Sequence, residues 1–86
     1  MTADAGGADH EVVVDARGSR CPVPVIEAAR TAREHPPGTV LRVLSTDPAT
    51  VADLPAWCRM RGHDLVDVHR GEDGDGAEVV VRVRLR

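Results

Sequence analysis

With 86 residues the chain has room for one small hydrophobic core, which excludes a multidomain protein. The net charge of −3 argues against a protein whose main task is neutralising phosphates, because non-specific nucleic-acid affinity rests on basic surface. Aromatic residues make up 1% of a chain that is 42% hydrophobic, so the core must be aliphatic.

No apolar stretch is long enough to span a bilayer, and Met1 to His10 lacks the basic-then-apolar order of a signal peptide. The expectation is a cytoplasmic, monomeric protein with no membrane partner and no direct contact to nucleic acid. Its two cysteines, Cys21 and Cys58, match no zinc spacing, and in a reducing compartment they read as buried or reactive rather than bridged.

Residues 1–10 read as a disordered tail, too small and polar to offset the entropy of ordering, ahead of a single domain at 11–86. Glu11 to Asp15 carries three consecutive valines and predicts a first strand near the middle of a sheet. From Pro22 to His35, Val25, Ile26, Ala29 and Ala32 recur at helical spacing and predict a helix with that stripe on the sheet. Glu27, Arg30 and Glu34 fall on its outer side, and Pro36-Pro37-Gly38 ends it.

Thr39 to Ser45 predicts a second strand, with Leu41 and Val43 on one face and Val40, Arg42 and Leu44 on the other. At Thr46-Asp47-Pro48, Asp47 suits a helix cap and Pro48 the first helical position. A second helix follows with Val51, Leu54 and Cys58 inward. Pro55 interrupts it, so the pattern predicts a loose first turn and a firmer segment from Leu54 to Arg61. Gly62 suits its left-handed stop. Asp64 to Arg70 predicts a third strand, residues 71–76 a hairpin loop, and Ala77 to Arg86 a fourth strand. In that last strand Val79, Val81, Val83 and Leu85 alternate cleanly with Val80, Arg82, Arg84 and Arg86.

The fold class that follows is α/β: a two-layer sandwich of β-α-β-α-β-β order, a mixed four-stranded sheet with both helices on one face. Strands joined through a helix should run parallel, and the final hairpin antiparallel.

The chemistry concentrates at Arg17-Gly18-Ser19-Arg20-Cys21-Pro22-Val23-Pro24. A cysteine just ahead of a helix faces unpaired amides and the positive end of the dipole, which favour the thiolate. Pro22 and Pro24 fit the first turn, where a missing N–H removes no intrahelical bond, and they hold the cysteine in place. Arg17 and Arg20 would add positive charge, and Gly18 supplies a positive φ. The same position also suits a small buried cysteine, and both arginines also read as solvated loop charges. Cys58 belongs to the apolar stripe and reads as core. Trp57 and Met60 flank that stripe and read as its edge or as an apolar contact for a partner. His10, His35, His63 and His69 form no ligand pair, so no metal is expected.

Asp15-Ala16-Arg17-Gly18-Ser19-Arg20-Cys21-Pro22-Val23-Pro24 resembles the signature of the TusA/SirA-like family of small sulfur carriers. The run Thr46-Asp47-Pro48-Ala49-Thr50, then Asp53-Leu54-Pro55, Trp57-Cys58 and Gly62-His63-Asp64-Leu65-Val66, resembles the family's second conserved region. The resemblance implies a sulfurtransferase-type carrier in which Cys21 accepts sulfane sulfur as a persulfide and passes it to an acceptor protein in a sulfur relay. Its donor would be a protein of cysteine desulfurase or rhodanese type. Ser19 stands where many members have an apolar residue, and Val23 where an acid is often found. A non-catalytic regulatory or interaction module of the same fold is the alternative. A dithiol pair of Cys21 with Cys58 is disfavoured by their spacing.

Overall fold

A computed structural model of the protein describes residues 10–71 and 77–86. The tail through Asp9 and most of the predicted hairpin loop lie outside the described residues. Four strands and two helices alternate as β1 (Glu11–Ala16), α1 (Val23–Arg33), β2 (Val40–Ser45), α2 (Thr50–Arg61), β3 (Asp64–Arg70) and β4 (Val79–Arg84). This is the predicted β-α-β-α-β-β order. The strands lie side by side as β1-β2-β4-β3.

β1 pairs with β2 in parallel, and β4 pairs antiparallel with both β2 and β3. β3 therefore runs the same way as β2, as a helical crossover requires, with β4 inserted between them. The clean alternation in β4 determines which face is which: Val79, Val81, Val83 and Leu85 are all buried under the helices. Leu41 and Val43 pair with Val83 and Val81 and point the same way, both fully buried. On the uncovered face Arg82 bonds Asp67 across the β3–β4 pair (Nε to Oδ1, 3.1 Å), and Arg86 bonds Asp64 (2.9 Å).

Two expectations shift. β1 is an edge strand, not a central one. Three consecutive valines suit a strand buried on both faces, but both helices lie on one side, so Val14 is buried and Val13 is left 56% exposed on the open side. The inward face of α1 is also rotated. Pro24 and Ala28 are its buried residues, Val25, Ala29 and Ala32 pack beside them, and Ile26 is 54% exposed. Ala28 carries little hydrophobic signal, yet its small side chain lets the helix lie close on the sheet, and that approach sets the helix phase. On the outer side Arg30 pairs with Glu27 one turn away.

α2 is also more continuous than Pro55 suggests. Its entry is wound tightly, with Thr50 N–H on Asp47 O (3.0 Å), Val51 N–H on Pro48 O (3.2 Å) and Asp53 N–H on Ala49 O (2.9 Å). Pro55 forgoes only its own bond to Val51 O, and burial of Leu54, Trp57 and Cys58 carries the helix through. Met60, on the opposite side, is 81% exposed. Gly62 closes α2 in the left-handed region (φ 75°), with His63 N–H on Cys58 O at 3.0 Å. A Cβ there would meet nothing within 4 Å, so the strain is purely conformational. Gly62→Ala is expected to destabilise the fold by about 1 kcal/mol, read as a lower urea midpoint at unchanged slope.

Candidate functional site

Ala16 and Ser45 are register partners at the ends of the parallel pair β1 and β2, so the turns that follow these strands emerge side by side. Open α/β sheets place ligand sites at such strand ends. Two hydrogen bonds clip the turns together. Gly18, at φ 84°, turns its N–H to Thr46 Oγ1 (2.9 Å), and Cys21 N–H donates to Asp47 Oδ2 (2.8 Å). Asp47 Oδ1 in turn accepts Ala49 N–H (2.9 Å). These amide bonds, with the positive charge of Arg20, hold the Asp47 carboxyl below its usual range. Asp47 thus braces the cysteine turn rather than serving as the N-cap of α2, a place taken by Ala49.

Pro22 occupies the N-cap of α1, one place earlier than predicted, and the Cys21–Pro22 peptide is cis. Val23 N–H closes the turn on Arg20 O (2.9 Å), and Pro24 is buried in the first helical turn. Cys21 is half-buried and free, and its Sγ lies 3.8 Å from Thr50 Oγ1. Thr50 Oγ1 is 2.7 Å from Ser45 Oγ, which accepts Asp47 N–H at 3.0 Å.

The electrostatics around Cys21 differ from the sequence expectation. Arg17 turns outward, with Nε on Asp15 Oδ1 (2.9 Å) and Nη1 on Glu78 Oε2 (3.3 Å), so its charge is spent away from the sulfur. Its pairing holds the Asp15 carboxyl at about 2. Arg20 is exposed and makes no ion pair among the described residues. The groups facing Sγ come instead from the second turn and α2. Burial first, then the carboxylate of Asp53, push the Cys21 thiol up to about 11, with Asp47 adding to the effect and Thr50 opposing it. Cys21 N–H is committed to Asp47, and two prolines remove amides from the helix entry, so no backbone donor among the described residues reaches the sulfur. The resting site holds a thiol, where the position before a helix alone predicts a thiolate.

Asp53→Asn removes that opposing charge. It is expected to raise the thiolate fraction of Cys21 several-fold at neutral pH. Iodoacetamide labelling followed by peptide mass analysis checks this, and an unchanged rate would show that Asp53 does not act on the sulfur.

A shallow groove of about 340 Å³ runs beside the turn, lined by Gly18, Ser19, Arg20, Thr46, Asp47 and Pro48. Two larger grooves, on the open sheet face and between the helices near Trp57, contain no cysteine and stand apart from this chemistry. Cys58 is 1% exposed within the core cluster of Leu54, Trp57 and Val81, as its position on the stripe predicts. Among the described residues no cluster of ligands could hold a metal ion, and no helix is long and apolar enough to cross a membrane.

The structure thus groups Cys21 with Gly18, Arg20, Pro22 and Pro24 and leaves Arg17 aside. It adds Ser45, Asp47, Thr50 and Asp53. Asp47 was visible in the sequence only as a helix cap. The other three carried no separate signal, because their meaning depends on β2 and α2 meeting the cysteine turn.

The chain is similar to known proteins. A family model described as Sulfurtransferase TusA matches residues 12–83, which takes in both turns and all but the outermost residue of the first and last strands. A protein of Archaeoglobus fulgidus is 47% identical over 62 residues, covering 72% of this chain and 85% of its own length. The sulfur carrier protein TusA of Pseudomonas syringae pv. tomato is 43% identical over 56 residues, 65% of this chain and 67% of that one. Its counterpart in Pseudomonas paraeruginosa is 40% identical over 57 residues, 66% and 72% of the respective chains. With the family match running from β1 to β4, on a fold that brings the two turns together around Cys21, the chain belongs to the TusA sulfurtransferase family.

Proposed function

We propose that this protein is a sulfur carrier that accepts sulfane sulfur on Cys21 as a persulfide and delivers it to an acceptor protein. The observation that carries the reading is the placement of Cys21. It sits half-buried on a braced turn at the strand ends, while the only other cysteine is sealed in the core. The Pseudomonas relatives are named as sulfur carriers, and the family match on this chain spans both turns.

In the loading step the Cys21 thiolate attacks the outer sulfur of a donor persulfide. A new S–S bond forms at Cys21, the donor's S–S bond breaks, and the electron pair leaves on the donor thiolate. Delivery reverses the roles: an acceptor thiolate takes the outer sulfur, and Cys21 departs as thiolate. The redox state is conserved at each step, so neither step requires a cofactor.

A thiol raised to about 11 is slow to react alone, so a partner that covers the site and supplies positive charge would complete the reaction environment. Val23 and Ile26, exposed on the first turns of α1 beside Cys21, offer apolar contact to such a partner. The donor would be a cysteine desulfurase or rhodanese.

The test is incubation with a sulfur-loaded donor of either type, followed by intact mass measurement. The protein is expected to gain the mass of one sulfur atom and to lose it on treatment with a reducing thiol. No gain from any donor would overturn the reading.

A further inference from the structure

Behind Cys21 lie two hydroxyl groups that have no part in the steps above. Ser45 and Thr50 are both 0% exposed, one at the end of β2 and the other at the start of α2. A buried hydroxyl proton needs an acceptor. The contacts of this pair leave a single arrangement that satisfies both protons. Ser45 Oγ already accepts Asp47 N–H (3.0 Å), and its only other partner among the described residues is Thr50 Oγ1 at 2.7 Å. If Thr50 donated to Ser45, the Ser45 proton would have no acceptor. Ser45 therefore donates to Thr50, and the Thr50 proton is left to point at its remaining partner, Cys21 Sγ, 3.8 Å away.

We propose that Asp47 N–H, Ser45 and Thr50 form a directed hydrogen-bond chain ending on Cys21 Sγ, in which Thr50 is the donor that stabilises the sulfur whenever it carries negative charge. This deepens, and rests on, the sulfur-carrier reading. During loading the attacking species is the Cys21 thiolate. During delivery the S–S bond of the persulfide breaks and its electron pair stays on Sγ. The same hydroxyl meets the anion in both steps. Among the described residues it is also the single donor near a sulfur otherwise faced by carboxylates: Asp53 on α2 and Asp47 on the preceding turn oppose the charge, Arg20 lies toward Asp47, and Arg17 is turned away. Of the groups acting on the thiol, Thr50 is the one that favours its ionised form by hydrogen bonding. Ser45 acts through Thr50 and is a positioning residue. A chain of donors also polarises its members, so the last bond is stronger than an isolated hydroxyl would give.

The experiment is the pH dependence of Cys21 alkylation by iodoacetamide from about pH 6 to about pH 10, which needs no sulfur donor. Thr50→Val keeps the shape of the side chain and removes the donor. Its rate curve is expected to move toward alkali by about half a pH unit, the net of a roughly tenfold loss of thiolate at any fixed pH and a partly compensating gain in nucleophilicity. Because intrinsic nucleophilicity rises with thiol basicity, the rate itself falls about three- to fourfold. Thr50→Ser restores the donor and the wild-type curve. Ser45→Ala moves the curve in the same direction by less. It also serves as the second probe should Thr50→Val fold poorly, with folding followed by Trp57 fluorescence.

A Thr50→Val curve superimposed on the wild type, or displaced toward acid, overturns the chain. So does a Thr50→Ser curve displaced as far as that of Thr50→Val, since a packing role would then explain both. If the displacement appears in a protein that takes no sulfur from any donor, the carrier reading fails and the proton arrangement stands. If sulfur loads normally while the curves coincide, the carrier reading stands and the chain is overturned.

Discussion

Cys21→Ser is expected to abolish sulfur loading completely, while Cys58→Ala loads as the wild type does. The expectation rests on a difference in access. Cys58 is 1% exposed, with its thiol pushed up by burial among the apolar residues of α2 and the sheet, so no donor persulfide reaches it. Cys21 is half-buried on a surface turn, within reach of a partner. Serine keeps the size and hydrogen-bonding capacity of that position but has no sulfur with which to form the S–S bond of the proposed persulfide.

Intact mass after incubation with a loaded donor distinguishes the outcomes. Equal loading of wild type and Cys21→Ser would place the chemistry elsewhere in the chain. In the same assay the uncatalysed reactivity of wild-type Cys21 should climb about tenfold per pH unit through the alkaline range without a plateau below about pH 10, because the thiol stands at about 11. A partner that lowers that value on docking would confine reactivity to the complex, which suits a carrier that must keep its cargo from stray thiols.

Leu54→Ala is expected to cost about 2 to 5 kcal/mol. Leu54 is fully buried on α2, inside the core cluster built by Leu41, Val43, Val81 and Val83 from the sheet and Ala28 from α1. A chain of 86 residues has a total stability on the order of 4 to 13 kcal/mol, so this one truncation removes a large share of it. With one tryptophan and neither tyrosine nor phenylalanine, the unfolding transition can be followed through Trp57 alone, which lies in the same core beside His63. A fall of less than about 1 kcal/mol would show that the core closes over the void. Loss of Leu54 also loosens the helix that carries Thr50 and Asp53 toward the cysteine, so alkylation of Cys21 should change along with stability.

The sequence by itself determined the elements and their order, because the signals are local: alternation in β4, helical spacing after Pro22, and Gly62 as a left-handed stop are properties of neighbouring residues. It also singled out Cys21 over Cys58, since one follows a strand end and precedes a proline-started helix while the other lies on an apolar stripe. Burial on each face was less legible. Val13 and Ile26 are as hydrophobic as their neighbours, and only the packing of two helices on one face of a four-stranded sheet leaves them exposed.

The charge on the sulfur was decided by tertiary structure alone. Position before a helix predicts an acidified thiol flanked by Arg17 and Arg20. The parallel pairing of β1 and β2 instead brings the turn at Asp47 and the first turn of α2 against Cys21, while Asp15 and Glu78 draw Arg17 away. Asp47 and Asp53 are 26 and 32 residues along the chain from Cys21, and their fields act through space, so no local pattern records that they meet the sulfur.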